Sequence, residues 1–211
     1  QHLSTDSAGL KDVVITNDDN SWPENGNGAP MISLGGYYES PAVFISKAKA
    51  DMQILFNAPE GQFFVGESGT ELLFRLIRNA IVSAQSGGHV LGSSLEHPAS
   101  RSAACHWAKF ASRPYVNVQH NSETGSVDDV DYAALVKPET RVATILHTSP
   151  VTGMGVDVAA VSKAIRSVAP DCFIIVDGIQ HAAHGLLDIE SYGVDGYVIS
   201  PYKMFSRHGY G

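Results

Sequence analysis

Two stretches, RVATILH (Arg141 to His147) and CFIIVD (Cys172 to Asp177), decide the architecture. Each is a run of mostly β-branched and other apolar residues that closes on a polar one. Successive side chains of a strand point to opposite faces, so a strand with one wet face alternates apolar and polar positions. A strand that is apolar throughout is covered on both faces, as in parallel sheets flanked by helices. Between the two stretches, Asp157 to Val168 has helical spacing, and after them Val194 to Ser200 reads as a further strand. Working back, Asp129 to Val136 is a short helix, Tyr115 to Val118 a strand, Pro98 to Phe110 a helix and His89 to Leu91 a strand. Thr70 opens a helix whose apolar stripe is Leu72, Leu73, Leu76, Ile77, Ala80 and Ile81. The periodicity predicts another helix over Ser40 to Phe56, stopped by Asn57-Ala58-Pro59, and a short aromatic strand over Gln62 to Val65. Strands alternating with helices predict an α/β domain over residues 39–211, with a mostly parallel central sheet and helices on both faces. Residues 1–38 read as a loop-rich arm: Asn17 to Gly28 (NDDNSWPENGNG) is turn chemistry, and only Asp12 to Thr16 has strand character.

Composition narrows the function classes. The chain has 211 residues, of which 44% are hydrophobic and 17% charged, which excludes an intrinsically disordered polymer. A formal charge of -8 argues against a nucleic-acid partner, which would require a basic face. No apolar run approaches the ~20 residues of a membrane-spanning helix. Two cysteines, Cys105 and Cys172, make no disulfide framework, and no signal peptide stands at Gln1-His2-Leu3-Ser4, so a cytoplasmic protein is expected.

In sheets of this kind ligands bind beyond the carboxyl ends of the strands, so the polar residues after each strand carry the functional reading. Gly66-Glu67-Ser68-Gly69-Thr70 turns into a helix, where free N–H groups and the helix dipole suit an anion; the plain alternative is an ordinary capped helix start. His97 follows a strand and precedes Pro98; it can stack on an aromatic ligand or simply face solvent. Asp177 ends the most apolar strand, where a carboxylate is costly without a partner, unless it serves as an N-cap. Lys203 lies just past VDGYVIS, where desolvation would make its amine a nucleophile, although most lysines face water. No one of these decides the matter. Together they are the parts of a pyridoxal 5'-phosphate site: a lysine for its Schiff base, an anion site for its phosphate and an acid for its pyridine nitrogen.

The block VDGIQHAAHGLLDIESYGVDGYVISPYK (Val176 to Lys203), with GESGTE (Gly66 to Glu71), LEHPAS (Leu95 to Ser100) and SPVTG (Ser149 to Gly153), resembles the class V aminotransferases. That fold-type-I pyridoxal-phosphate family includes the cysteine desulfurases, and the likeness runs from about Tyr37 to Gly211. The resemblance implies that Lys203 carries the cofactor and that Asp177 holds the pyridinium proton. It further implies that Gln180 bonds the phenolic oxygen, that His97 stacks on the ring, and that Gly69, Thr70 and Ser200 bind the phosphate. Tyr202 stands where histidine is common and its hydroxyl is within range of a phosphate. The catalytic set is then Lys203, Asp177 and His97. An amino-acid substrate, chemistry at its Cα and a homodimer follow from the same resemblance. Pro150 replaces the asparagine usual in desulfurases, and Ser206-Arg207 replaces the usual Gly-Pro, so a transaminase- or epimerase-like branch is expected before a desulfurase. Family members continue past the lysine through a small C-terminal domain. The chain is therefore expected to be an inactive fragment of a longer protein.

Three other readings compete. His147, His181 and His184 could contribute to a metal site, but neither cysteine stands beside them as a further ligand, and no metal is expected. A nucleotide-binding module would need a glycine fingerprint that Gly66 to Thr70 lacks. A catalytically silent transferase-like scaffold is the third.

Overall fold

The computed structural model describes residues 3–6, 9–14 and 41–205. The chain divides into two compact units, Gln1–Leu55 with Pro59–Phe63, and Phe56–Ala58 with Phe64–Gly211. In the first, β1 (Leu3–Asp6) and β2 (Gly9–Val14) pair antiparallel, with Leu3 opposite Val14. The sequence reading expected one strand at Asp12 to Thr16; the backbone makes two, because a short strand is stabilised only by a partner. Helix α1 (Pro41–Leu55) follows, and the Gln53 amide donates to the carbonyls of Pro59 and Gly61 at 3.0 and 3.1 Å.

The second unit runs α2 (Gly69–Ser83), β3 (His89–Ser93), α3 (Pro98–Phe110), β4 (Tyr115–Val118), α4 (Asp129–Ala133) and β5 (Thr140–Leu146). It continues with α5 (Val158–Val168), β6 (Phe173–Asp177), α6 (Ile189–Tyr192) and β7 (Gly196–Val198). Single 3-10 turns lie at His181–Ala183 and Pro201–Met204. The strands form one five-stranded sheet in the order β4-β3-β5-β6-β7, with every neighbouring pair parallel. The α/β reading therefore holds.

Apolar strands are buried here for the reason their pattern indicates. Ile174 and Val176 of β6 and Ala143 and Ile145 of β5 point into a core closed by Tyr132 of α4 and by Val158, Val161 and Ile165 of α5. The intervening Ile175 and Val142 point the other way, against Leu73, Ile77 and Ile81 of α2 and Ala103, Ala104 and Ala108 of α3. Leu73, Ile77 and Ile81 recur every four residues and are fully buried, each contributing roughly 1.5–3 kcal/mol by leaving water.

Two expectations need correction. Gln62 to Val65 is not a strand: Phe64 and Val65 are 77% and 74% exposed, and no sheet edge meets them. The last strand shrinks from Val194–Ser200 to Gly196–Val198, because only those three residues pair with Ile175 to Asp177.

Candidate functional site

The sheet order reverses at β3: the chain moves to β4 on one side and returns to β5 on the other. Such a reversal opens a crevice beyond the carboxyl ends of the strands. A cavity of about 130 Å³ lies at these carboxyl ends. Gly69 and Thr70, His97, Asp177, Gln180, Ser200, Tyr202 and Lys203 all line it, so eight sequence-predicted residues from four chain segments meet at one place. Glu67, Ser68, Leu146, Ile179 and Pro150, the residue that stands in place of the desulfurase asparagine, complete the wall.

Each wall is positioned by local chemistry. Ser68 caps α2, its Oγ accepting from Glu71 N at 3.1 Å, which leaves the first-turn N–H groups of Gly69 and Thr70 outside the helical ladder. Gly69 is buried, and a Cβ there would collide with Ile179 Cδ1. Glycine thus lets the helix start approach the segment after β6. His97 caps α3, with Nδ1 accepting from Ala99 N at 3.1 Å. His97 is exposed at the cavity mouth, and this bond ties its ring to its own helix.

Asp177 is only 4% exposed, and one carboxylate oxygen accepts from Ile179 N at 3.1 Å. Burial pushes its carboxyl above the usual range, while the Ile179 bond and the nearby His97 and Lys203 charges oppose that. The capping alternative holds in part, since this bond closes a local turn. Lys203 sits in the 3-10 turn after β7, half-buried, and its Nζ donates to Gln180 Oε1 at 3.1 Å. Ser200 is buried and Tyr202 partly exposed.

The histidines of the metal reading behave otherwise. His147 and His181 stack face to face with ring centroids 3.5 Å apart, and His147 Nδ1 meets the Tyr197 hydroxyl at 2.7 Å. His181 Nδ1 meets Thr148 Oγ1 at 2.9 Å, and His184 lies 3.4 Å from the Gln180 amide. Among the described residues no group of three or more His, Cys, Asp or Glu converges to hold a metal, and no helix is long and apolar enough to cross a membrane.

The donor set matches one kind of ligand. An anion-ready helix start, an imidazole, a buried carboxyl, an amide and an amine surround a cavity of aromatic-ring size, and the Gly69 cradle keeps the helix start close. Those are complements to phosphate, ring face, ring nitrogen, phenolic oxygen and aldehyde, so the residues fit pyridoxal 5'-phosphate.

Comparison with known proteins gives the chain's family and fold. The family model described as aminotransferase class-V matches residues 12–211. A probable cysteine desulfurase of Mycoplasma genitalium is 25% identical over 157 residues, covering 74% of this chain and 38% of that protein. The cysteine desulfurase-like protein ustD of Aspergillus flavus is 27% identical over 169 residues, covering 76% of this chain and 37% of its own length. Among solved structures, the cysteine desulfurase CsdA of Escherichia coli superposes with a TM-score of 0.70 at 23% identity, over 85% of this chain and 47% of that one. An aspartate aminotransferase of Thermus thermophilus superposes with a TM-score of 0.64 at 20% identity, over 78% and 45% of the two chains. The chain thus spans well under half the length of these relatives.

Proposed function

The chain belongs to the class-V aminotransferase family, and from that premise we propose that it is the cofactor-binding part of a pyridoxal 5'-phosphate enzyme acting at the Cα of an amino acid. The observation that carries this reading is the meeting of Lys203, Asp177, Gln180 and His97 with the start of α2 around one cavity. The cofactor, when bound, supplies an electron sink for charge that develops at the substrate Cα.

The chain's own residues have separable tasks. Lys203 would hold the cofactor through Nζ, and its amine, when free and neutral, would take or return the Cα proton. Asp177 holds the ring-nitrogen proton, and its burial makes that ion pair stronger than it would be in water. The Gln180 amide orients the phenolic oxygen, and the His97 ring covers one face and keeps water from it. Gly69 and Thr70 N–H, with the Ser200 and Tyr202 hydroxyls, receive the phosphate.

Pro150 supports a transaminase- or epimerase-like branch over a desulfurase. It lines the cavity but carries neither a side-chain donor nor an N–H. The large domain would span residues 39–211 after an arm of 1–38, with a small C-terminal domain beyond it and a cytoplasmic homodimer as the working form. Reduction with borohydride followed by peptide mass spectrometry is the direct test. A pyridoxyl adduct on Lys203 of the full-length protein is expected, and an unmodified Lys203 refutes the assignment. A panel of L-amino acids then separates keto-acid, racemised product and sulfide; dominant sulfide release from cysteine would move the protein to the desulfurases.

A further inference from the structure

Beneath the His97 loop lies a buried acid that the functional reading does not use. Glu96 is 5% exposed, between the end of β3 and the start of α3. Its Oε1 accepts from Ser93 N at 2.9 Å and from Thr144 Oγ1 at 2.5 Å. Its Oε2 lies 2.5 Å from Ser100 Oγ. One carboxyl therefore ties together the last residue of β3, the middle of β5 and the first turn of α3. Thr144 is itself held, its carbonyl accepting from the buried Tyr132 hydroxyl at 3.0 Å.

We propose that Glu96 is the positioning residue for His97, clamping the turn that aims the imidazole at the cavity. This rests on the cofactor reading only for what the ring then does. The path from clamp to ring is short. Ser100, the residue Glu96 holds, donates its N–H to the His97 carbonyl at 3.0 Å, as does Arg101, and Ala99 N–H donates to His97 Nδ1. The three N–H groups that fix the His97 backbone and ring all belong to the turn anchored through Ser100. Without the anchor, only Pro98 and the fraying start of α3 hold the imidazole.

The carboxyl accepts three bonds, two at Oε1 from Ser93 N and Thr144 Oγ1 and one at Oε2 from Ser100 Oγ. Burial, with the Asp177 charge adding to it, favours the protonated acid against the three hydrogen bonds. Glutamine keeps the shape, with Oε1 accepting from Ser93 and Thr144 and Nε2 facing the Ser100 hydroxyl, which turns to accept. Gly92 belongs to the same cluster: a Cβ there would sit 2.6 Å from Thr144 Oγ1, 2.6 Å from the Tyr115 hydroxyl and 2.8 Å from Glu96 Oε1. The Tyr115 hydroxyl is buried there with no hydrogen-bond partner among the described residues.

Two measurements on the full-length protein test the clamp. Hydrogen exchange of the peptide spanning Ser94 to Arg101, without cofactor, reads the clamp alone. Glu96→Leu should exchange at least tenfold faster there, with peptides of β5 and β6 unchanged, while Glu96→Gln stays within twofold of wild type. Gly92→Ala, which leaves Glu96 in place but displaces it, should act in the direction of Glu96→Leu. Titration with pyridoxal 5'-phosphate then reads the ring: Glu96→Leu should weaken binding and diminish the induced visible dichroism as His97→Ala does, and Glu96→Gln should restore both. Wild-type exchange and dichroism in Glu96→Leu would overturn the proposal, as would Glu96→Gln behaving like Glu96→Leu. Should Glu96→Leu fail to fold, Ser100→Ala decides, with at least threefold faster exchange expected and an unchanged rate refuting the clamp. Failure of the wild-type protein to bind the cofactor would sink the functional reading, and the exchange result would still judge Glu96.

Discussion

Burial raises the Asp177 carboxyl above its usual pKa, while the Ile179 bond and the neighbouring His97 and Lys203 act against that shift. A bound pyridinium would add a positive partner and favour the carboxylate. Asp177→Asn keeps the shape and loses the charge, so cofactor binding should change by less than about tenfold while turnover falls by roughly 100-fold or more. Absorbance titration and single-turnover kinetics separate the two effects, and normal turnover would remove Asp177 from its role. His147 gives a prediction about pH. Burial, with the His181 ring stacked against it, lowers its pKa from 6.5 to about 4. The unfolded chain then binds the proton first as pH falls. Stability from this site is therefore complete above about pH 6.5 and is lost between there and about pH 4, by up to ~1.4 kcal/mol per pH unit. His147→Asn should flatten that slope in urea titrations at pH 4.5 and 7, and an unchanged slope would count against it.

At the level of elements, α5, β6 and β7 meet at one guanidinium. Arg166 donates Nε to the Gly193 carbonyl at 3.0 Å and one terminal nitrogen to the carbonyls of Pro170 and Cys172 at 2.9 and 3.2 Å. The other terminal nitrogen pairs with Asp195 at 2.7 Å, whose carboxylate also accepts from Ile174 N at 2.8 Å. The pair is about one-third exposed, so the ion pair counts for little and the carbonyl bonds for more. Arg166→Met should cost about 2 kcal/mol in urea unfolding, with cofactor affinity nearly unchanged because the knot lies at the opposite strand ends. Gly178 works at the site end of the same strands. Its N–H donates to Val198 O at 2.9 Å, and a Cβ would run into the Tyr197 ring. Gly178→Ala should cost roughly 1–3 kcal/mol, and because Lys203 follows β7 it should weaken cofactor binding too.

Across the whole molecule, apolar side chains remain uncovered near the cavity's end of the sheet unit: Val151 and Leu186 are 88% and 95% exposed. A homodimer would cover such surface, and sedimentation of the full-length protein should give a dimer across working concentrations. A monomer at every concentration would refute it.

Sequence alone determined that this chain builds a parallel sheet with helices on both sides, because strands apolar at every position have no other stable setting. It also placed Asp177, Lys203 and His97 at or beyond strand ends, where the chemistry of such sheets collects. It could not show that Gln62 to Val65 would find no sheet edge, since a strand depends on a neighbour that no local pattern specifies. Only the tertiary structure decided that His147 and His181 stack, or that Glu96 has Thr144 from another strand above it. Those contacts join residues far apart in the chain, and the burial that gives them their electrostatic character exists only once both layers of helix have closed on the sheet.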